Sequence, residues 1–474
     1  MKLKTLFRGL NIKIKGSKDI EITNISSDSR ITAPGDLFIA KKRGADFISQ
    51  AIQAGAIAIV TDLFDPFCKV TQVLTDHPDG LEPILADRFF ENPSKDLFVA
   101  GVTGTKGKTT TTYLIYHLLN SLGKKTGLIG TIETIFGEKR YPSSLTTHGI
   151  LYNQKILREM KLQGCRAVSM EVSSHGLDQN RVDLIDFDVA LFTNLHADHL
   201  DYHTTLENYA EAKKKLFSKA SKRIILNGDS PWADCMKKGA KVPIWTFGFE
   251  RDRDIRAEDV FFSENGMTFS VQFENQREKV FVPILGRFNV YNTLGAIGIG
   301  LHLGFTLNEI AQALHSFQVA PGRLEKVYNL REIQAFVDYA HTGEALENVL
   351  MTLKELPHKR LICVFGAGGN RDPQRRVQMA QAAEKYADLS IITSDNPRKE
   401  TPEEICKQIY QAFQNKKNVQ VEIDRKKAIE YACSISQKED ILLIAGKGHE
   451  KVQIFSHQTI PFDDVEIAKS ALKF

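Results

Sequence analysis

The sequence predicts an α/β protein of three successive units, with mostly parallel sheets in the second and third. Three observations point there. Short apolar runs recur at residues 97–100, 168–172, 189–193, 224–226, 361–365, 389–393 and 441–445, separated by helix-like stretches. Glycine-rich or polar segments follow most of them: GTKGKTT at 104–110, SSHGLDQNR at 173–181, NLHADHLDYH at 194–203, GAGGNRD at 366–372, SDNPR at 394–398 and GKGHE at 446–450. Finally, 474 residues at 42% hydrophobic and 25% charged suit about three globular domains.

In chain order, residues 1–95 alternate short strand patterns with one helix and end near Asn92-Pro93-Ser94. Residues 96–322 form the second unit and end at Pro321-Gly322. Residues 323–474 repeat the strand–helix alternation in a Rossmann-like manner. The opening MKLKTLFRGLNIKIKG lacks the apolar core of a signal peptide, and no run approaches the ~18–20 apolar residues of a membrane span. A cytoplasmic protein is expected. Six cysteines without CxxC pairing suggest reduced thiols, and a net charge of +4 is too small and mixed to imply nucleic acid.

Gly104, Thr105, Lys106, Gly107, Lys108, Thr109 and Thr110 follow an apolar run and precede a helical pattern with Tyr113, Leu114, Leu118 and Leu122 on one face and Gly123 as its stop. Strand, glycine-rich turn and helix N-terminus together aim backbone N–H groups and a helix dipole at a polyphosphate. Lys108 would meet the outer phosphates and Thr109 would hold Mg²⁺. The generic motif has glycine where Val102 stands, so this is a variant loop. An ordinary glycine-rich turn is the competing reading. Polar loops at strand C-terminal ends form ligand crevices in open α/β sheets, and six such loops together exceed turn chemistry.

Glu171 is a carboxylate on an otherwise apolar run, and burying it ionised demands a partner. A metal would supply one, with Asp198 and His199 after the next strand offering oxygen and imidazole donors. Lys213-Lys214-Lys215 reads, taken alone, as a solvated helix face.

The ordered set GTKGKTT, MEVSSHGLDQNR, TNLHADHLDYH, YAEAKKKLF, GRFNVYN, PGRLE, VDYAHTGEAL, FGAGGNRD, DNPR and GKGHE resembles the Mur ligases, ATP-dependent amide-forming enzymes of peptidoglycan synthesis, over nearly the whole chain. The resemblance implies a UDP-binding domain at 1–95, an ATP-binding domain at 96–322 and an amino-acid-binding domain at 323–474. Its implied substrates are ATP, UDP-N-acetylmuramoyl-L-alanyl-D-glutamate and meso-diaminopimelate, with no nucleic acid or membrane partner and a monomeric enzyme.

Ser27 and Ser29 match positions that hold the uridine diphosphate end. Thr146, Thr147, Ser173, Gln179 and Arg181 match those gripping the muramoyl dipeptide. Residues 104–110 match the ATP loop, Asn289 and Asn292 the adenine side, and Arg323, Asp338 and His341 further nucleotide contacts. Arg371, Asp395, Asn396, Pro397, Arg398, Gly446 and Glu450 match the diamino acid pocket. Lys213 matches a lysine carbamylated by CO2, a change that turns an ammonium into a carboxylate-ended ligand. Thr109, Glu171, His199 and carbamylated Lys213 then hold Mg²⁺, with Lys108, His199 and Lys213 catalytic.

The implied reaction activates the D-glutamyl γ-carboxylate as an acyl phosphate, which the diamino acid's amine attacks. The third unit should close over the second when ATP binds, hinged near Gly322-Arg323. Departures from the family pattern are Leu145 for asparagine, Gly343 for proline, Arg375 for lysine, and a short stretch at 41–46 where altered uridine contacts are expected. Other readings are a lysine-adding, D-alanyl-D-alanine-adding or folylpolyglutamate-type ligase and, more distantly, a nucleotide-regulated binding protein.

Overall fold

The computed structural model describes residues 1–41 and 44–473. Lys42 and Arg43, inside the stretch expected to alter uridine contacts, lie outside the described residues. The chain forms two compact units, Met1–Lys108 with Leu119–Thr246, and Thr109–Leu118 with Phe247–Phe474. Among the described residues no helix is long and apolar enough to cross a membrane.

The first unit begins with a five-stranded sheet in the order Lys13–Lys15, Thr71–Leu74, Ala58–Thr61, Asp36–Ile39, Asn24–Ser26, in which only the Lys13–Lys15 edge runs antiparallel. Where the sequence suggested one helix, this region carries Leu3–Leu6, Ile48–Gln53 and Pro78–Phe89. The first two are too short to show a helical period.

A second sheet in the same unit runs Ala220–Asn227, Phe187–Phe192, Phe98–Thr103, Ala167–Glu171, Thr126–Ile129, all parallel, then continues antiparallel through Glu133–Phe136 and Lys139–Pro142. Register places Glu171 opposite Val102 and Phe192 opposite Thr103. The segments after three adjacent strands, starting at Gly104, Val172 and Thr193, therefore leave the sheet at one edge. Val102, where the generic motif has glycine, is fully buried inside the sheet. One apolar core, from Leu3 to Met236, joins both sheets of this unit.

In the second unit, Ile255–Ser263, Gly266–Phe273 and Gln276–Val282 form an antiparallel meander that the apolar-run reading did not register. A further sheet runs Glu325–Val327, Gln334–Asp338, Ile441–Ala445, Leu361–Phe365, Leu389–Ile392, Val419–Val421, parallel except at its first edge. Alternate residues of one strand feed two cores: Leu361, Cys363 and Phe365 pack on one face, Ile362 and Val364 on the other. Helices cover both faces, so these strands are apolar throughout and match the expected runs.

Helix Lys108–Ser121 buries Tyr113, Leu114 and Leu118 as expected, while Leu122 is half-buried beyond its end. Gly123, at φ 77°, follows as the stop. Gly343, the departure from proline, opens helix Gly343–Lys354 against Gln378, where a Cβ would collide with that side chain. Gly322 lies within the second unit, its N–H donating to Glu325 Oε2 (2.7 Å) and its carbonyl accepting from Tyr339 (2.9 Å).

Candidate active site

Gly104 leaves strand Phe98–Thr103 at φ 151°, so close to the next strand that a Cβ would run into Thr193 Oγ1. The loop is then stitched to the segment after Phe187–Phe192. Thr105 N–H donates to Asn194 O (2.9 Å), Lys106 N–H to Asn194 Oδ1 (2.9 Å), and Thr193 Oγ1 to Lys106 O (2.7 Å). Lys108 folds back over the loop, its ammonium donating to Gly104 O (2.9 Å) and Thr105 O (3.0 Å). Lys106 faces Asp198 at 3.6 Å. A backbone turn, two cations and a helix N-terminus are thus gathered where a polyphosphate can be held.

Helix Leu206–Lys214, capped by Thr205, presents Tyr209 and Lys213 one turn apart on its buried face. Lys213 is not a solvated helix residue. It is 1% exposed, donates to Gly104 O at 2.8 Å, and sits 4.4 Å from the centroid of the Tyr209 ring. Burial drives its ammonium well below the usual lysine range; Lys108 pushes the same way and Asp198 opposes both. Two lysine nitrogens thus meet on one carbonyl. An uncharged Lys213 amine removes the clash and is also a nucleophile.

Glu171, fully buried, ends its strand with Oε1 accepting from Thr131 N–H (2.9 Å) and Oε2 from Thr131 Oγ1 (2.9 Å). Where the sequence argument left a metal as the needed partner, the fold supplies Thr131. Thr131 Oγ1 also reaches Thr146 Oγ1 (3.0 Å), and Thr147 Oγ1 donates to Glu171 O (3.0 Å) while accepting from Ser173 N–H (2.9 Å). Arg181 donates to Thr147 O (2.8 Å) and through Nε and Nη2 to Gln179 Oε1. Thr146, Thr147, Ser173, Gln179 and Arg181 therefore form one polar network around Glu171. Leu145 beside it is exposed. Ser27 and Ser29 lie in the N-terminal region, where Ser29 is buried and donates to Gln50 Oε1 (2.9 Å).

His199 takes a left-handed backbone, φ 55°, and its N–H donates to Asp198 Oδ1 (3.0 Å). A β-carbon is uncomfortable in that region, and such outliers cluster at functional sites. Half of its side chain is exposed, yet desolvation of the remainder lowers the imidazole to about 4, with His175, Lys108 and Lys213 adding to the effect against Asp198. It is neutral at physiological pH and can act as a ligand or hydrogen-bonding group. Its ring meets His175 edge-on at 5.0 Å.

The second unit holds the other expected residues. Asn289 and Asn292, on helix Arg287–His302, are buried; Asn292 Nδ2 donates to Asn289 Oδ1 (2.8 Å), and Thr111 Oγ1 to Asn292 Oδ1 (3.3 Å). Thr111 follows Thr109 and Thr110 on helix Lys108–Ser121. Arg323 stacks on the Tyr339 ring at 4.9 Å, Asp338 accepts from Leu324 N–H (2.7 Å), and His341 Nδ1 contacts Tyr339 O (2.9 Å). Burial raises Asp338 to about 6, against Arg323 and backbone donors.

Asp395-Asn396-Pro397-Arg398 and the segment 446–450 meet at the strand ends. Asn396 Nδ2 donates to Glu450 Oε2 (2.7 Å), and Lys447, wholly buried, bonds Asn396 Oδ1 (2.9 Å) and Glu450 Oε2 (3.0 Å). Gly446 lies so close to Asp395 that a Cβ would sit 2.5 Å from Oδ2. That oxygen is buried and, among the described residues, has no hydrogen-bond partner. Arg398, at φ 53°, donates to Gly369 O (2.8 Å) and, among the described residues, meets no carboxylate. Arg371 is exposed on the neighbouring loop. An open depression beside Arg398 is lined by Asn370, Lys399, Ile454, Phe455 and Ser456. Asp395 Oδ1 accepts from Asn396 N–H (2.6 Å), which leaves Oδ2 and the Arg398 guanidinium as complements to the ammonium and carboxylate of a zwitterionic amino-acid end.

Sequence reasoning did not find Thr131, Tyr209 or Lys447. Tyr209 was legible as the residue four before Lys213, and Lys447 lies inside a recognised motif; nothing marked Thr131.

Residues 102–300 match the Mur ligase middle domain and residues 322–448 the Mur ligase glutamate ligase domain. The chain is 44% identical over 474 residues to a UDP-N-acetylmuramoyl-L-alanyl-D-glutamate–2,6-diaminopimelate ligase of Chlamydia pneumoniae, covering 98% of each. The chain belongs to the Mur ligase family. Another ligase of the same name, from Caldanaerobacter subterraneus subsp. tengcongensis, is 40% identical over 478 residues, covering 100% of this chain and 99% of its own. A solved structure of such a ligase aligns with TM-score 0.73 at 33% identity, covering 100% of this chain and 98% of that one. This Mur ligase thus has the family's three-domain α/β fold.

Thr131 yields a stability prediction. Thr131→Val keeps its shape but removes a donor to the buried Glu171 carboxylate, and should lower unfolding free energy by about 1–3 kcal/mol in a urea titration. An unchanged midpoint and slope would contradict the assigned pairing.

Proposed function

We propose that this Mur ligase joins meso-diaminopimelate to the γ-carboxylate of UDP-N-acetylmuramoyl-L-alanyl-D-glutamate at the expense of ATP, in the cytoplasm. The observation that carries the reading is the pair of unmet demands at the C-terminal strand ends, Arg398 without an anion and Asp395 Oδ2 without a donor. The distal end of diaminopimelate carries one carboxylate and one ammonium. Lysine offers only the ammonium. The relatives from Chlamydia pneumoniae and Caldanaerobacter, both 2,6-diaminopimelate ligases, support the same substrate. In this reading residues 1–95 bind the UDP end through Ser27 and Ser29, 96–322 bind ATP, and 323–474 bind the amino acid.

The γ-carboxylate attacks the γ-phosphorus of ATP, breaking the bond to the β-phosphate oxygen and releasing ADP. The resulting acyl phosphate is attacked by the amine; the tetrahedral adduct collapses to the amide, expelling phosphate, and the amine's proton leaves to solvent. Lys108 and the loop N–H groups orient the phosphates, and neutral His199 contributes a polar contact without adding charge. Thr147, Ser173, Gln179 and Arg181 hold the dipeptide.

Thr109, Glu171 and His199 offer hard oxygens and a neutral imidazole, donor types that suit Mg²⁺, although among the described residues no three His, Cys, Asp or Glu side chains are gathered. Held by such donors, Mg²⁺ would supply charge neutralisation at the phosphates. Lys213 completes the set as a carbamate: its uncharged amine adds to CO2, forming the N–C bond and losing a proton. Burial of the amine, with no carboxylate bonded to it among the described residues, supports this reading.

Four outcomes test the assignments. Lys108→Ala should remain folded by circular dichroism and lose product formation; near-wild-type turnover would remove the ATP-loop assignment. Lys213→Ala should be inactive and partly recover when a short carboxylic acid fills the vacated space; full activity without any additive would overturn its role. Purified wild type offered diaminopimelate or lysine with ATP, Mg²⁺ and the UDP-muramoyl dipeptide should favour diaminopimelate, by up to ~10⁴-fold if the unpaired guanidinium dominates. Arg398→Ala should raise KM for diaminopimelate and narrow that ratio, and an unchanged ratio would show that Arg398 is not the selector.

A further inference from the structure

Arg425 and Asp464 lie outside every motif read from the sequence, yet both are wholly buried. Arg425 opens helix Arg425–Ile435 and Asp464 opens helix Asp464–Ala471. They pair bidentately, Nε to Oδ1 at 2.8 Å and Nη2 to Oδ2 at 2.7 Å. A guanidinium in the first turn of a helix opposes the dipole, and its complete burial is costly. Replacing a buried ion pair by apolar side chains is often neutral or stabilising, so stability alone is a weak reason for this one.

The remaining donors show what the pair does. Arg425 Nη2 also donates to Ala445 O (2.9 Å), and Nη1 to Ser394 O (3.3 Å). Ala445 immediately precedes Gly446, and Ser394 immediately precedes Asp395. One rigid, planar fork therefore grips the last carbonyl before each of the two loops that carry Asp395, Asn396, Arg398, Lys447 and Glu450. Strand Leu361–Phe365 lies between the two strands from which those loops depart, so the strand ladder does not join them directly. Beyond the sheet the same loops meet through Lys447 and Asn396, and through buried Gln453, whose Nε2 donates to Ser394 Oγ (2.6 Å) and Asp395 O (2.7 Å).

We propose that Arg425, locked by Asp464, is a positioning residue that sets the spacing of the two loops and thereby the affinity for the incoming amino acid. This rests on the amino-acid pocket assigned above. Arg425 touches no substrate; it acts through the carbonyls of Ser394 and Ala445.

The test uses the full-length enzyme and measures KM separately for diaminopimelate, ATP and the UDP-muramoyl dipeptide. The decisive variant is Arg425→Met/Asp464→Leu, which removes both charges together and keeps an apolar interior. It should remain folded, with KM for diaminopimelate raised at least tenfold and the other two KM values within about twofold of wild type. Arg425→Lys should lie between them, because one ammonium cannot reproduce the fork. Should the double variant prove unstable, Arg425→Lys alone decides, by the same split among the three KM values. A folded double variant with wild-type KM for diaminopimelate, or a uniform change in all three values, would overturn the inference. Failure of wild type to use diaminopimelate at all would instead remove the underlying pocket assignment.

Discussion

A lysine nitrogen that is buried and, among the described residues, bonded to no carboxylate is the constraint on which the phosphate-loop side of the first unit depends. Lys213 is delivered to Gly104 O by a helix whose capping residue, Thr205, and ring neighbour, Tyr209, fix its direction. Lys108 occupies the same carbonyl. Two charged ammonium groups on one oxygen is an unfavourable state in a dry interior, and Asp198 only partly offsets it. Loss of the proton relieves the crowding, and in the proposed reading addition of CO2 then converts the site from cationic to anionic.

Both main parallel sheets use the same device to collect polar groups. Strands buried on both faces carry little chemistry themselves, and their ends carry nearly all of it. Gly104, Val172 and Thr193 follow adjacent strand ends in one sheet; Tyr339, Gly366, Thr393 and Gly446 do so in another. Some of the backbone strain lies there as well. His199 and Arg398 are both left-handed without being glycine, a cost that surrounding hydrogen bonds must hold in place.

Legibility in the sequence follows burial. Strands Leu361–Phe365 and Ile441–Ala445 were readable to the residue because both faces are covered and every side chain is apolar. The meander beginning at Ile255–Ser263 was not, since its burial alternates and apolar runs were the signal sought. Site residues carried by contiguous motifs were legible. Those acting through distant pairing were not: Thr131 lies 40 positions from Glu171, and Arg425 lies 39 from Asp464. A side chain's partner across such a gap is set by sheet order, which no local pattern encodes.

The chemical state of Lys213 is the point on which the account of the ATP side turns. Carbon-13 NMR of the full-length enzyme equilibrated with ¹³C-labelled bicarbonate tests it directly. The account predicts a protein-bound carbamate resonance that is lost on acidification and absent from Lys213→Ala. A wild-type enzyme that turns over under the same conditions with no such resonance would contradict it.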